Sequence, residues 1–275
     1  MQKLSFDSIS RIVSDDRCAY MEFFSVSICF YGDDGCKGVT GQISACDEDE
    51  DFVLFDGALG YHNSHETVNP TGPRRSYRGD HFLISVDLED GEGREISCGC
   101  VGYDFSNAHI VYNMRMCSII RGKHGFAALH YTIFSDAIQS KLKFTLSPVT
   151  FFTNVNYQVY GKIVTSYSSY KYSTHYQKKY YRSMVFKKGK EEAVKLGVIP
   201  LSKSVVAVPL NGSSSLIVSA KLHVLLNGNH IETVQYVQTF NPRCPKRTHS
   251  KKSRDESTGK NFRFQASIKW TKFDI

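Results

Sequence analysis

The sequence predicts a mainly β fold, built as two related antiparallel β-sandwich-like lobes with few short helices. Apolar residues alternate with polar ones along many segments, turn-forming residues separate these segments, and their order recurs in the second half of the chain. With 275 residues and 41% hydrophobic content, the chain can bury a sizeable core, which excludes disorder throughout. Its eight cysteines are too sparse for a disulfide-built scaffold, so we expect reduced thiols.

Six segments alternate with a two-residue period, and only a strand places such apolar residues on one face. The clearest is the C-terminal run in which Phe262, Phe264, Ala266, Ile268 and Trp270 alternate with polar residues. We expect half-buried strands, mostly with their outer faces in water. The predicted strands span residues 24–30, 82–88, 138–146, 155–163, 216–224 and 262–270.

Residues that tolerate positive φ separate these strands and predict hairpins at 32–35, 89–93, 211–212 and 227–229. Helical periodicity is weak, and the best candidates are residues 6–13 and a single turn at 190–196.

The order of strands and turns in the first half recurs in the second, which predicts an internal duplication. We expect an N-terminal extension (1–17), an acidic lobe (18–147) and a basic lobe (148–275), divided near Ser147 and Pro148. Residues 1–150 carry a net charge of −8 and residues 151–275 a net charge of +15. The two lobes therefore either attract each other, or the basic lobe binds an acidic partner.

Three motifs in a fixed order carry a family resemblance. The first is the loop Asn69, Pro70, Thr71, Gly72, Pro73, Arg74 and Arg75 with the strand after it; the second is residues 201–210 with the strand at 216–222; the third is residues 268–270. Together they resemble a plant domain-of-unknown-function family that is abundant in grasses, over roughly residues 20 to 272. Some members of that family are fused to ribosome-inactivating N-glycosidase domains. The resemblance implies a plant source and a defence context, but no mechanism. This chain departs from the family pattern in its Tyr/Lys-rich insert around 166–190 and its basic loop 243–254.

The most functional-looking segment is residues 166–182, where tyrosines alternate with basic residues. Phenol rings can stack on unpaired bases while ammonium and guanidinium groups neutralise phosphates, so the segment is a candidate groove for single-stranded RNA. The alternative is a sheet edge that turns its rings to the core and its lysines to water. The candidate residues are Tyr170, Lys171, Tyr172, Tyr176, Lys178, Lys179, Tyr180, Tyr181 and Arg182.

A second basic cluster lies in residues 243–254, which contain proline and serine and lack strand periodicity. It could bind nucleic acid or act as a nuclear-import signal. A solvated hairpin loop explains it as well. The residues are Arg243, Lys246, Arg247, Lys251, Lys252 and Arg254.

We expect no metal and no cofactor. The acidic run 47–51 lacks the spaced ligands and turn glycine of a calcium loop, and is expected in water or against the basic lobe. Cys98 and Cys100 have no second cysteine pair at zinc-finger spacing, and are expected as partly buried thiols beside a turn. The nearest match to an N-glycosidase centre is Glu192 followed by Lys195, where that enzyme needs an arginine on a long helix.

The sequence therefore favours a non-enzymatic interaction module that binds a macromolecule through loops and sheet edges, with a protein as the expected partner. Two alternatives stay open: an RNA-binding module acting through residues 166–182, and a ribosome-inactivating enzyme. No apolar targeting or membrane-spanning segment is evident, so we expect a cytoplasmic protein that does not bind membranes, with nuclear import through 243–254 as a further option.

Overall fold

A computed structural model describes residues 19–31, 38–47, 50–59, 65–72, 75–79, 81–104, 111–150, 156–210, 214–242, 251–258 and 261–271. The prediction of a mainly β, antiparallel fold is confirmed. The strands described in the first half are β1 (Ala19–Phe30), β2 (Val39–Cys46), β3 (Asp51–Leu59), β4 (His65–Val68), β5 (Tyr77–Gly79), β6 (His81–Asp90), β7 (Glu95–Asp104), β8 (Arg115–Arg121) and β9 (Gly125–Phe134).

The described part of the second half adds strands, one short helix and a 3₁₀ turn at Lys190–Glu192. These elements are β10 (Ala137–Pro148), β11 (Tyr157–Tyr167), α1 (His175–Tyr180), β12 (Ser183–Lys188), β13 (Val194–Lys195), β14 (Gly197–Val198), β15 (Val205–Pro209), β16 (Leu216–Leu226), β17 (Asn229–Phe240), β18 (Lys251–Thr258) and β19 (Phe262–Thr271).

The strands form four antiparallel sheets, two in each half. Sheet A has the order β4-β1-β9-β8 with β5 also paired to β1, and sheet B has the order β3-β2-β6-β7. Sheet C repeats sheet A as β14-β10-β19-β18 with β15 paired to β10, and sheet D repeats sheet B as β12-β11-β16-β17 with β13 paired to β11. The predicted internal duplication is therefore visible as a repeated topology.

The structure has two apolar cores: the first takes its residues from Ala19 to Ile133, and the second from Phe134 onwards together with Tyr20 and Phe24 of β1. The first core lies between sheets A and B, and the second lies between sheets C and D. Strand β10, which the sequence assigns to the acidic lobe, contributes Leu142 and Phe144 to the second core. As a statement about domains, the boundary near Ser147 stays a prediction.

Strand β1 departs from the predicted pattern of one buried face, because it is buried on both faces from Ala19 to Ile28. A bulge between Phe23 and Ser25 shifts the alternation. Phe24 therefore packs in the second core while Phe23 and Val26 pack in the first, although the sequence places Phe24 and Val26 on one face. Strand β1 thus lies between both cores.

Gly41 and Gly161 occupy equivalent positions in the two halves. Their φ angles are +125° and +128°, and they pair with Leu88 and Leu222 respectively. A Cβ at Gly41 would lie 2.1 Å from the Asp87 carbonyl oxygen, and one at Gly161 would lie 2.3 Å from the equivalent carbonyl oxygen of β16. Strands β2 and β11 therefore each need a glycine at the position where the backbone of the neighbouring strand comes close.

The structural equivalence of β3 and β12 is shifted by one residue from the one that the sequence suggests. Phe55 pairs with Ile43 in the first half, and Phe186 pairs with Ile163 in the second, so Phe55 and Phe186 are equivalent. In the sequence, the similar segments 52–57 and 184–189, each ending in glycine, would instead align Phe55 with Lys187. Bulges in both strand pairs hide this register from a simple alignment.

Candidate macromolecule-binding surfaces

The Tyr/Lys-rich segment forms neither an extended groove nor a sheet edge. It leaves β11 through a turn and then forms α1, a helix that the sequence analysis missed. Thr174 is the N-cap: its side-chain oxygen accepts from the Gln177 backbone N–H, and the Gln177 side chain accepts from the Thr174 N–H in return. The capping box was the signal in the sequence that could have located this helix.

Most rings of the segment point into the protein. Tyr167, Tyr180 and Tyr181 are 1%, 8% and 5% exposed. Tyr167 and Tyr181 pack edge-on against Phe24 of β1, with centroids 6.2 and 5.9 Å from its ring. Tyr170 is half-buried and donates its hydroxyl proton to Thr132 Oγ1 at 2.9 Å. These rings fill the junction between the two halves, so their faces are not free to stack on bases.

The charged groups of the segment lie outside. Lys171, Lys178 and Lys179 are exposed, and Arg182 is half-buried with its Nε donating to the Lys178 carbonyl oxygen. Half-buried Tyr172 lies beneath Arg115, whose guanidinium carbon is 5.9 Å from the ring centroid. The segment thus points most of its rings inwards and its cations outwards, as the sheet-edge alternative predicts. It does this with a turn and a helix, however, and not with a sheet edge.

Tyr176 is the ring of this segment that stays open to water, at 48% exposure. Its hydroxyl lies 2.9 Å from His130 Nε2, and the His130 ring stacks on Tyr180 with centroids 4.6 Å apart. Burial lowers the pKa of His130 to about 4, whereas burial raises the pKa values of Tyr176 and of the nearby Cys117 thiol. Through the contacts of Tyr176 and Tyr180 with His130 of β9, the cluster attaches α1 to sheet A.

The family-motif loop is held by the acidic run. Arg75 binds Asp47 through two hydrogen bonds of 2.7 and 2.8 Å, and its Nε lies 3.3 Å from Glu50 Oε2. The expectation that the run lies in water or against the basic lobe is therefore wrong for Asp47, which pairs within its own half.

Thr71 fixes the start of the loop, because its N–H donates to the Leu54 carbonyl at 2.8 Å. Pro70 is buried, while Pro73 and Arg74 lie outside the described residues.

The loop also contacts the second motif. Gly72 N–H donates to the Ser202 carbonyl at 2.9 Å, and a Cβ on Gly72 would lie 2.3 Å from Lys203 Cγ. Ser202 in turn repeats the role of Thr71, because its N–H donates to the Val185 carbonyl at 3.0 Å. Two of the three motifs that carry the family resemblance therefore meet where the halves join, which gives them a structural role.

The basic cluster at 243–254 divides into two parts. Arg243, Lys246 and Arg247 lie outside the described residues. Lys251, Lys252 and Arg254 belong to strand β18, so the expectation of a loop is wrong for this part. Strand β18 forms because β19 offers a full pairing edge, with Lys252 opposite Lys269 and Arg254 opposite Ser267.

The outer face of sheet C carries a basic groove of about 480 Å³. Lys141 and Lys269 pair directly across β10 and β19, and Lys143 follows on the same face of β10. All three side chains are exposed. Thr145, Gln265 and Ser267 supply neutral hydrogen-bonding groups to the lining. We call this surface the basic groove.

The outer face of sheet D carries a second group of cations. Lys162 of β11 pairs with Lys187 of β12 on one side and with Lys221 of β16 on the other, and all three are exposed. Since residues opposite one another in antiparallel strands share a face, the three ammonium groups form one line across the sheet. We call this set the lysine row.

Next to the lysine row lies a pair of stacked rings. Tyr160 pairs with His223, and their ring centroids are 4.8 Å apart with an angle of 24° between the planes. His223 Nδ1 and His230 Nε2 each lie 2.9 Å from Thr233 Oγ1. Burial, and then the nearby charges of His230 and Lys221, lower the pKa of His223 below its ordinary value.

Sequence reasoning missed the basic groove, the lysine row and the stacked rings. The lysines do occupy polar positions of alternating strands, so an outward direction could have been predicted. Their neighbours could not, because Lys162 meets Lys187 and Lys221 only through the pairing of distant segments.

The other residues considered in the sequence lie on β7 (Cys98 and Cys100), in the 3₁₀ turn (Glu192) and on β13 (Lys195). Within the described residues, no group of three His, Cys, Asp or Glu side chains could hold a metal ion. Cys98 and Cys100 are exposed in the middle of β7, contrary to the expected partly buried thiols beside a turn. Glu192 forms an exposed ion pair with Lys188 at 2.9 Å, in the 3₁₀ turn and not on a long helix. Lys195 lies on β13.

Across the described ranges, none of the helices combines the length and apolarity needed to cross a membrane.

Comparison with known proteins identifies a family but adds no activity. No curated protein matches the chain. Two structures of human GIVD cytosolic phospholipase A2 are similar at 10% and 9% identity, with TM-scores of 0.26 and 0.24. The first contains methyl gamma-linolenyl fluorophosphonate and terbium chloride. The alignments cover 92% of this chain but only 32% and 30% of those chains, and likeness at this level supports no argument about function. A family model matches residues 20–254, and the chain therefore belongs to the family described as Domain of unknown function (DUF6598).

Proposed function

We propose that this chain is a non-enzymatic interaction module that binds an anionic macromolecule, a protein or a nucleic acid, through the outer faces of sheets C and D. The observation that supports this proposal is the direct pairing of lysines on neighbouring strands. Lys141 lies opposite Lys269 in the basic groove, and Lys162 lies opposite both Lys187 and Lys221 in the lysine row.

Such pairing does not help the fold. Like charges directly opposite one another destabilise a sheet. None of these lysines lies within ion-pair distance of a carboxylate among the described side chains. Local arrangements that oppose folding are expected where a function uses them. A partner that supplies negative charge would relieve the repulsion.

A plant source, a defence setting and a cytoplasmic location form part of the same proposal, and rest on the family resemblance and the sequence. A fluorescent fusion of the full chain in plant cells tests the location. Nuclear accumulation that requires residues 243–254 would contradict it.

The binding function is tested with three variants that each remove three positive charges. Lys141, Lys143 and Lys269 are changed to Gln in the first, and Lys162, Lys187 and Lys221 in the second. Lys171, Lys178 and Lys179 are changed in the third, which serves as the matched control. Elution from immobilised heparin measures general affinity for a polyanion, and capture from plant extract with and without nuclease separates protein from RNA partners.

We expect the first two variants to elute at lower salt than the control, and to lose their captured partners. If both face variants behave like the wild type, the proposal is wrong. A larger loss in the control would instead assign binding to the Tyr/Lys-rich segment, and release of adenine from ribosomes by the pure protein would favour the enzyme.

A further inference from the structure

We propose that the outer face of sheet D binds single-stranded RNA, with a base stacked on Tyr160 and phosphates bound by the lysine row. This inference rests on the proposed function and names its partner for one of the two faces. It places RNA on a surface different from the Tyr/Lys-rich segment, whose rings are largely committed to the junction between the halves.

The Tyr160 ring is half-buried on the outer face of β11. One side of the ring is covered by His223 of β16, at 4.8 Å between centroids. In the order β12-β11-β16-β17, the other side faces β12, β13 and the 3₁₀ turn that connects them. No second ring among the described residues stacks on Tyr160. Gly189, which follows β12, leaves open space where a Cβ would be, so a planar base can extend the stack on this side.

Lysines flank the Tyr160 ring along the direction of β11. Tyr160 and Lys162 are two residues apart on β11 and so share a face, about 7 Å apart along the strand. Gln158, one step further along this face, pairs with exposed Lys195 of β13. Cations therefore lie on both sides of the ring along the strand. A nucleotide strand needs this alternation of stacking surface and positive charge.

Carboxylates near this face would repel phosphate. Glu192 is engaged by Lys188 at 2.9 Å. Glu232 of β17 accepts from the Asn261 N–H and side-chain amide at 3.1 and 3.0 Å. Glu191, in the same 3₁₀ turn as Glu192, is exposed. Among the described carboxylates, none pairs with the lysine row.

RNA fits this face better than an acidic protein does. An acidic protein would use the lysines but gives no role to the two stacked rings beside them. The basic groove provides the contrast within the same half, because it has three lysines with hydroxyl and amide groups and no ring. Stacking on aromatic side chains accepts any base, so we expect little sequence preference.

The experiment measures the binding of a fluorescein-labelled oligouridylate to the full chain by fluorescence anisotropy, over a range of salt concentrations. Inorganic polyphosphate, which has charge but no base, serves as the competing polyanion. The ring variants are Tyr160→Leu and Tyr160→Phe. The charge variants are the Lys→Gln triple of the lysine row and the matched triple of the basic groove. Far-UV circular dichroism confirms that each variant is folded.

We expect Tyr160→Leu to weaken RNA binding about tenfold or more while polyphosphate binding is unchanged, and Tyr160→Phe to bind RNA like the wild type. Each lysine removed from the row should reduce the slope of log affinity against log salt by about 0.7. The groove triple should leave the Tyr160 effect intact.

Equal RNA affinity in wild type and Tyr160→Leu, with polyphosphate still bound through the row, would overturn the RNA assignment and leave the proposed function standing. An undiminished affinity for both polyanions in both lysine triples would overturn the two together. A loss of RNA binding confined to the groove triple would place RNA on the other face, and so would also reject this inference.

Discussion

Lys203 and Glu22 form a buried ion pair that joins the two halves of the chain. Lys203 Nζ lies 2.5 Å from Glu22 Oε1, and the side chains are 4% and 3% exposed. Lys203 also donates to the Phe23 carbonyl at 2.7 Å. The carboxylate accepts from the Ser183 hydroxyl at 2.5 Å and from the Ala207 N–H at 2.9 Å. The carboxylate thus accepts three hydrogen bonds and the ammonium donates two, and such partners are what an ion pair needs in order to persist away from water.

Removing one member of this pair should strongly destabilise the fold. We expect Glu22→Gln or Lys203→Met to reduce the free energy of unfolding by about 3–5 kcal/mol. The first variant leaves the Lys203 ammonium, and the second the Glu22 carboxylate, buried without a charged partner. Urea denaturation measures the loss. The double variant should lose clearly less than the sum of the two, and strict additivity would show that the pair is not coupled. Lys188→Met, which removes an exposed pair, is the control and should leave the midpoint nearly unchanged.

The equivalent glycines should be equally intolerant of a side chain. We expect Gly41→Ala and Gly161→Ala each to lose about 1–3 kcal/mol from backbone strain, with the overlap against a neighbouring carbonyl adding to it. Gly57→Ala isolates the strain, since Gly57 has φ +137° and open space where a Cβ would be. Gly189→Ala has neither a positive φ nor a neighbour and should be near neutral. Thermal denaturation orders the four variants, and a neutral Gly41→Ala would contradict the register of the first half.

Stability should fall as the pH is lowered towards 4, and His130 should be one cause. Its pKa of about 4 in the folded chain lies below the ordinary 6.5. Between these values the unfolded chain takes up a proton that the folded chain excludes, so the contribution of the neutral ring is present above pH 6.5 and is lost as the pH falls to 4. Urea midpoints at several pH values should show a shallower decline for His130→Gln. Exposed His124, changed to Gln, is the control; an identical decline in all three proteins would exclude His130.

The lysine row should oppose stability while it supports binding. We expect Lys162→Thr to raise the free energy of unfolding by roughly 0.2–1 kcal/mol, because it removes repulsion from two neighbours and places a β-branched residue on a strand. The same variant should bind polyanions less tightly. Paired measurements by urea denaturation and heparin elution test this opposition. A variant that is less stable than the wild type but elutes from heparin at the same salt concentration would show that the lysines stabilise the fold and do not bind polyanions.

Sequence reasoning succeeded where a residue's environment depends on its own strand. In β6, β16 and β19 the alternating apolar residues are buried as expected, because side-chain direction follows from the two-residue period alone. It was wrong for Phe24, because the bulge in β1 depends on the register with β9. It also missed α1, where a local cap outweighs the strand-forming tendency of the tyrosines.

The amino-acid sequence alone predicted six of the described strands, the turns at 89–93 and 227–229, the repeated order and the excess of positive charge in the second half, since each follows from neighbouring residues or from simple counts. Tertiary structure decided which charges and rings meet. Pairing between distant segments turns three separate lysines into a row beside Tyr160, and turns the tyrosines of 166–182 into the packing between the halves. The physical reason is that a strand specifies which way a side chain points, whereas its neighbours are specified by hydrogen bonds to another strand.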